Sequence, residues 1–196
     1  LASECYYNLF KAEYSWFQRQ ETLSKATIGE LGQHMQNLFT YGKNIKSTQE
    51  YLECLIDVRN ILINSGYIKN YLDELVQLSK RTDSYLKLIV LKEIATLSLY
   101  ISDYQLTREA MEDGLSLSEK FNDINLNLEF ASIKMNLEYI APANDSNAVS
   151  TCIDIANDYI KKLESNIKNI PYKTYITNMV KVNINNPKTG CKNILS

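Results

Sequence analysis

The chain has 196 residues, 45% of them hydrophobic and 22% charged, with a net charge of −2, which is the balance of a folded globular protein and excludes a disordered one. Six glycines and three prolines are too few for the many tight turns of an all-β protein. No run reaches the ~18–20 consecutive apolar residues that span a bilayer, so no membrane partner is expected.

Helical periodicity takes over from the first residues. Tyr6, Phe10, Tyr14 and Phe17 fall on one stripe and predict a helix over about 3–20. A second, over roughly 27–41, carries Ile28, Leu31, Met35, Leu38 and Phe39, with Gly42 as its stop. Ser47, three residues before Glu50, is a capping-box signature. It opens a helix with Leu52, Leu55, Ile56, Leu62 and Ile63 on one side, ending at Ser65-Gly66. "IKNYLDELVQLSK" follows, then the turn "RTDS", and then "IATLSLYISDYQLTREAMEDGLSLSEK" (94–120), two apolar-periodic runs broken by "SDY". After the polar turn "FNDIN", Phe130, Ile133, Leu137 and Ile140 share a stripe that stops at Pro142. Asp145 or Ser146 caps the segment "NAVSTCIDIANDYIKKLESNI", which Pro171 ends. Tyr172, Ile176, Met179 and Val180 give a last helical stripe before "NNPKTGCKNILS", an irregular tail. Nine or ten helices and no strand are expected. Short loops make successive helices antiparallel neighbours.

The first helices of consecutive pairs centre near 12, 58, 95, 133 and 178. The middle intervals of about 37–38 residues signal a helical array. Ile94–Leu117 resembles a tetratricopeptide (TPR) repeat: Ile94-Ala95 is a large residue followed by a small one, "SDY" stands for the Gly-Asp-Tyr turn, and Gly114-Leu115 stands where that motif usually has Ala-Leu. "NSGY" at 64–67 resembles the same turn. Thr107 departs from the usual alanine, and Lys134 stands where a small residue is expected. The resemblance implies an all-α fold, a TPR-like right-handed α-solenoid of antiparallel helix pairs over 1–185, with 186–196 as an irregular C-terminal tail. It also implies a concave groove lined by first helices that holds a partner segment. Motif-matched groove positions are Lys92, Thr96, Leu99 and Tyr100, and the flanking helices offer Arg59 and Lys134. Some members clamp a terminal carboxylate with a lysine and an asparagine one turn apart. Here Lys92 is followed by Thr96.

The residues offer little for catalysis. His34, the single histidine, has Glu30 one turn before it. The pair shares a face and falls short of a metal site, so no metal and no cofactor are expected. Cys5, Cys54, Cys152 and Cys191 lie far apart without a C-x-x-C pair, the usage of reduced cysteines in a cytoplasmic or nuclear protein. No pairing signature links His34 to Cys54 or Cys152, and no phosphate-binding glycine motif or G-x-S-x-G is present. Glu109 and Asp113 sit at i, i+4 with no sign of a desolvated pocket. A non-enzyme is expected.

Charge is unevenly spread. Residues 161–196 carry seven lysines and one acid, against 14 basic and 22 acidic side chains in the remainder. Lys161, Lys162, Lys168 and Lys173, interleaved with Tyr159, Tyr172 and Tyr175, form a basic C-terminal patch. The leading expectation is a protein-interaction segment, a scaffold cut from a larger protein or complex, whose partner is another protein or peptide and not nucleic acid. The absence of an initiator Met and of a signal peptide at "LASECYYNLFKAEYSWF" fits such a piece. Two alternatives stand beside it: an intracellular receptor for a short signalling peptide that regulates transcription, and a nucleic-acid-binding helical array using the basic end.

Overall fold

The computed structural model describes residues 2–19, 25–45, 47–83, 85–140 and 148–166. Among them the chain is all-helical, with no strand. The helices are α1 (Ala2–Gln18), α2 (Lys25–Gly42), α3 (Thr48–Asn64), α4 (Ile68–Arg81), α5 (Tyr85–Tyr100), α6 (Tyr104–Lys120), α7 (Ile124–Ile140) and α8 (Ala148–Asn166). The helix expected after Pro171 and the tail 186–196 lie outside the described residues. The chain divides into two compact units, Leu1–Leu86 and Lys87–Ser196.

Three turns share one geometry. At the end of α5 the Asp103 N–H donates to the Ser98 carbonyl at 2.8 Å, and the Ser102 N–H to the Leu99 carbonyl at 3.1 Å. Ser102 lies between them at φ 63°. This double bond pattern around a left-handed residue closes the last orphan carbonyls of a helix. The end of α6 repeats it: Asp123 N–H to the Ser118 carbonyl at 2.9 Å, with Asn122 at φ 53°. So does the end of α3, where Tyr67 N–H reaches the Leu62 carbonyl at 2.8 Å and Gly66 sits at φ 84°. In the first two turns the next residue caps the following helix: Asp103 Oδ1 accepts from Leu106 N–H at 3.2 Å, and Asp123 Oδ1 from Leu126 N–H at 2.9 Å. Each such cap stabilises its helix by about 1 kcal/mol. Ser47 caps α3 in the same way, its Oγ accepting from Glu50 N–H at 3.3 Å.

In the first unit α1 and α2 run antiparallel: contacting pairs ascend one helix as they descend the other, from Tyr6–Tyr41 (centroids 6.4 Å apart) to Trp16–His34 (3.9 Å, stacked). Helices α1 and α3 run parallel, joined by the Phe10–Tyr51 edge-to-face pair at 5.7 Å and by Tyr14 Oη donating to Asp57 Oδ2 at 2.6 Å. That bond to a carboxylate, followed by burial, pushes the Tyr14 phenol up to about 12. The core includes Phe10, Phe17, Leu31, Leu55, Leu62 and Leu75.

Glu74 of α4 is 4% exposed and lies inside this core. Its Oε1 accepts from Tyr51 Oη at 2.9 Å, and its Oε2 lies 2.9 Å from Lys43 Nζ. Arg81 closes the cluster, 3.8 Å from Glu74, with Nη1 donating to the Lys43 carbonyl at 3.2 Å. A buried carboxylate is costly unless paired and hydrogen-bonded, and here three side chains from three segments do both. Burial, then the charge of Glu74, raise the Tyr51 phenol far above its ordinary value. Gly42 completes the arrangement, since a side chain there would overlap the Tyr51 ring.

The second unit is built on smaller residues. Helix α5 is apolar nearly all round and buries Leu88, Val90, Leu91, Ile94, Ala95 and Leu97, as a central helix should. Beside α6, Thr107 Oγ1 donates to Ser98 Oγ at 2.9 Å within the core. Twenty residues further on, Asn127 Nδ2 donates to Ser118 Oγ, also at 2.9 Å. Helices α6 and α7 are antiparallel, with contacts running from Ser118–Asn127 through Gly114–Phe130 to Arg108–Glu138. Gly114 is buried against the Phe130 ring, which a β-carbon there would overlap. Its role is therefore to admit an aromatic side chain of the next helix. Arg108 Nη1 reaches the buried Glu138 Oε1 at 2.7 Å. Of the stripe predicted on α7, Phe130, Ile133 and Leu137 are buried, whereas Ile140 is 58% exposed.

Candidate functional site

The groove positions expected on α5 fall on one stripe of its solvent side. Lys92 and Leu99 are half-buried, and Thr96 and Tyr100 are exposed. Thr96 Oγ1 donates back to the Lys92 carbonyl at 2.8 Å, leaving its methyl group and the Tyr100 ring as the outer surface. Tyr100 is 73% exposed, the most open of the large apolar side chains described.

Lys92 Nζ pairs with Glu129 Oε2 of α7 at 3.0 Å. Glu129, Ser132, Asn136 and Ile140 continue one stripe along α7 at helical spacing. The ion pair joins the two stripes at their N-terminal residues, and Tyr100 and Ile140 stand at the C-terminal ends of their helices.

Lys134 is placed differently. Five residues after Glu129, it points about 140° away around α7. It lines a cleft of about 190 Å³ with Leu115 of α6, Ala131 of α7, and Asp154, Ile155, Asp158 and Lys162 of α8. The structure thus separates Lys134 from Lys92 and brings it together with Lys162, a member of the basic patch. Lys162 Nζ donates to Asn127 Oδ1 at 3.2 Å and lies 3.8 Å from Asp158. Lys161 is exposed, and Lys168 and Lys173 lie outside the described residues. Arg59 sits half-buried on α3, in the first unit.

The residues weighed for chemistry take ordinary partners. His34 Nδ1 lies 2.6 Å from Glu13 Oε2, not against Glu30, and Asn37 Nδ2 donates to the other Glu13 oxygen at 3.1 Å. Glu13 lies 21 positions before His34 and reaches it only because α1 folds against α2, so no local spacing announces the pair. Among the described residues no three His, Cys, Asp or Glu side chains converge in a way that would hold a metal. Cys5 and Cys54 are free thiols. Burial, then Asp57 and Glu53, push the Cys54 thiol up to about 11, opposite in direction to an activated nucleophile. Glu109 and Asp113 are exposed, and Glu109 accepts from Gln105 Nε2 at 3.1 Å. No described helix is long and apolar enough to cross a membrane.

Compared with protein-family models, with curated proteins and with solved structures, the chain gives no match.

Proposed function

We propose that this chain is a non-enzymatic interaction segment of a larger protein or complex, a TPR-like right-handed α-solenoid of antiparallel helix pairs that holds a protein or peptide partner along its first helices. The observation that carries the proposal is the exposed stripe of α5, tied to α7 by Lys92–Glu129 and ending on the open Tyr100. The recurrent turns at Gly66, Ser102 and Asn122 support it, because an array is assembled by repeating one hairpin geometry. Free Cys5 and Cys54 fit a cytoplasmic or nuclear setting.

In such a surface a few aromatic anchors supply most of the affinity, and a surface ion pair sets register. The test is crosslinking mass spectrometry of the tagged chain in native cell extract, repeated with Tyr100→Ala. The expected result is reproducible crosslinks from Lys92 to one protein, with partner recovery cut roughly tenfold in the variant. Crosslinks confined to the lysines of 161–192 would overturn the proposal, as would recovery indifferent to Tyr100.

A further inference from the structure

The cleft between α6, α7 and α8 lies on a different side of α7 from that face, and its chemistry calls for a different ligand. Its floor is aliphatic, made by Leu115, Ala131 and Ile155, and its rim carries Lys134, Lys162, Asp154 and Asp158. Lys162 is already engaged by Asn127 and Asp158. Lys134 is half-buried and makes no hydrogen bond or ion pair among the described residues, although an ammonium drawn against apolar surface ordinarily finds an anion or reaches bulk water. Asp154, exposed on the facing helix, likewise has no partner among the described residues, and Asp158 follows it one turn later on the same side of α8.

These charges select the ligand by elimination. A polyanion would meet the two aspartates. A simple cation would meet Lys134. A purely apolar molecule would strip water from both charges without replacing it. What fits is a small molecule with one carboxylate, one ammonium and a short aliphatic body. Size agrees: a cavity of about 150 Å³ admits a ligand as large as benzene, drug-sized ligands need roughly 300–1,000 Å³, and this cleft measures about 190 Å³.

We propose that the α6–α7–α8 cleft binds a free aliphatic amino acid, with its carboxylate on Lys134, its ammonium on Asp154 and Asp158, and its side chain on Leu115, Ala131 and Ile155. The proposal is independent of the interaction face on α5 and α7, and neither stands or falls with the other.

The test is ligand-observed NMR of the full chain titrated with L-leucine, with leucinamide and N-acetyl-leucine as probes lacking one charge each. Leucine saturates the protein, with half-saturation on the order of 1 mM for a ligand of so few atoms. Each blocked derivative binds at least about tenfold more weakly, as the loss of a charge-assisted hydrogen bond requires. Lys134→Gln weakens leucine by a similar factor with an unchanged thermal melt, since Lys134 has no bonding partner among the described residues. Ile155→Trp, which fills the floor, abolishes binding and supplies a second variant should the first disturb folding. Absence of saturation up to the solubility of leucine overturns the proposal. So does equal binding of N-acetyl-leucine, or binding unchanged in both variants. A dipeptide ending in leucine separates sources: tighter binding than free leucine assigns the cleft to a peptide terminus and overturns the free amino acid.

Discussion

The two units solve the same packing problem with different materials. Residues 1–86 bring helices together around large side chains and buried charge: the Phe10–Tyr51 pair, the Trp16–His34 stack, and Glu74 held by Tyr51, Lys43 and Arg81. Residues 87–196 do it with small ones, using Gly114 under Phe130, Ala95 in the core, and the hydroxyl contacts of Ser98 with Thr107 and of Ser118 with Asn127. A small residue at an interface leaves a mark in the sequence, because few residues fit there. An aromatic ring or a buried acid leaves none, because its partner is remote along the chain. The contrast also sets where each unit is vulnerable.

The sharpest break should come in the first unit. Glu74→Ala removes the acceptor of a buried phenol and the counter-charge of two cations, and should cost about 2–4 kcal/mol in a urea denaturation series. Lys43 and Arg81 are partly exposed and can recover water, which keeps the figure below that of a fully enclosed pair. A loss under about 0.5 kcal/mol, the range of ordinary surface substitutions, would show that the cluster does not hold the unit together.

In the second unit the corresponding break is Gly114→Ala. Overpacking against Phe130 costs about 1–3 kcal/mol, and the better helix propensity of alanine returns up to about 1 kcal/mol. A net loss of about 1–2 kcal/mol is expected. Phe130→Leu in the same chain should recover much of it, so that the double substitution costs less than the two singles together. A stabilised Gly114→Ala protein would refute the close approach.

The smallest effect tests the shared turns. Ser102→Gly relieves a left-handed backbone at φ 63° and should stabilise by about 0.5–1 kcal/mol, read as a raised melting temperature. Asn122→Gly, in the same conformation at φ 53°, should gain less, because asparagine tolerates this region better than serine. Equal gains would mean that the turns are not discriminated by backbone strain.

Helix positions were largely legible in the sequence. The Ser47–Glu50 cap, Gly66 and the "SDY" turn marked ends that the structure places within a few residues, because caps and turns are decided by neighbours in the chain. The stripes on α1, α3 and α7 were equally plain, although Tyr6 on α1 and Ile140, at the terminus of α7, left their stripes for solvent. The candidate site was legible in part. Lys92, Thr96 and Tyr100 fall on one open face because their spacing fixes it. Analogy between helices puts Lys134 on that face, yet its surroundings depend on how α6 and α8 pack against α7, which no local pattern encodes. Glu13–His34, Glu74 and Arg108–Glu138 were invisible for the same reason. Each joins residues 21 or more positions apart, and a glutamate on a helical stripe looks solvated until its partner is known.

The stack of Trp16 on His34 has a practical consequence. The chain has one tryptophan and one histidine, and both belong to the first unit, with their rings 3.9 Å apart across α1 and α2. Indole emission therefore watches half of the molecule, while helical circular dichroism watches all of it. Denaturation followed by both signals at once gives a built-in meter of cooperativity: superimposed curves describe a single folding unit, and separated curves describe two.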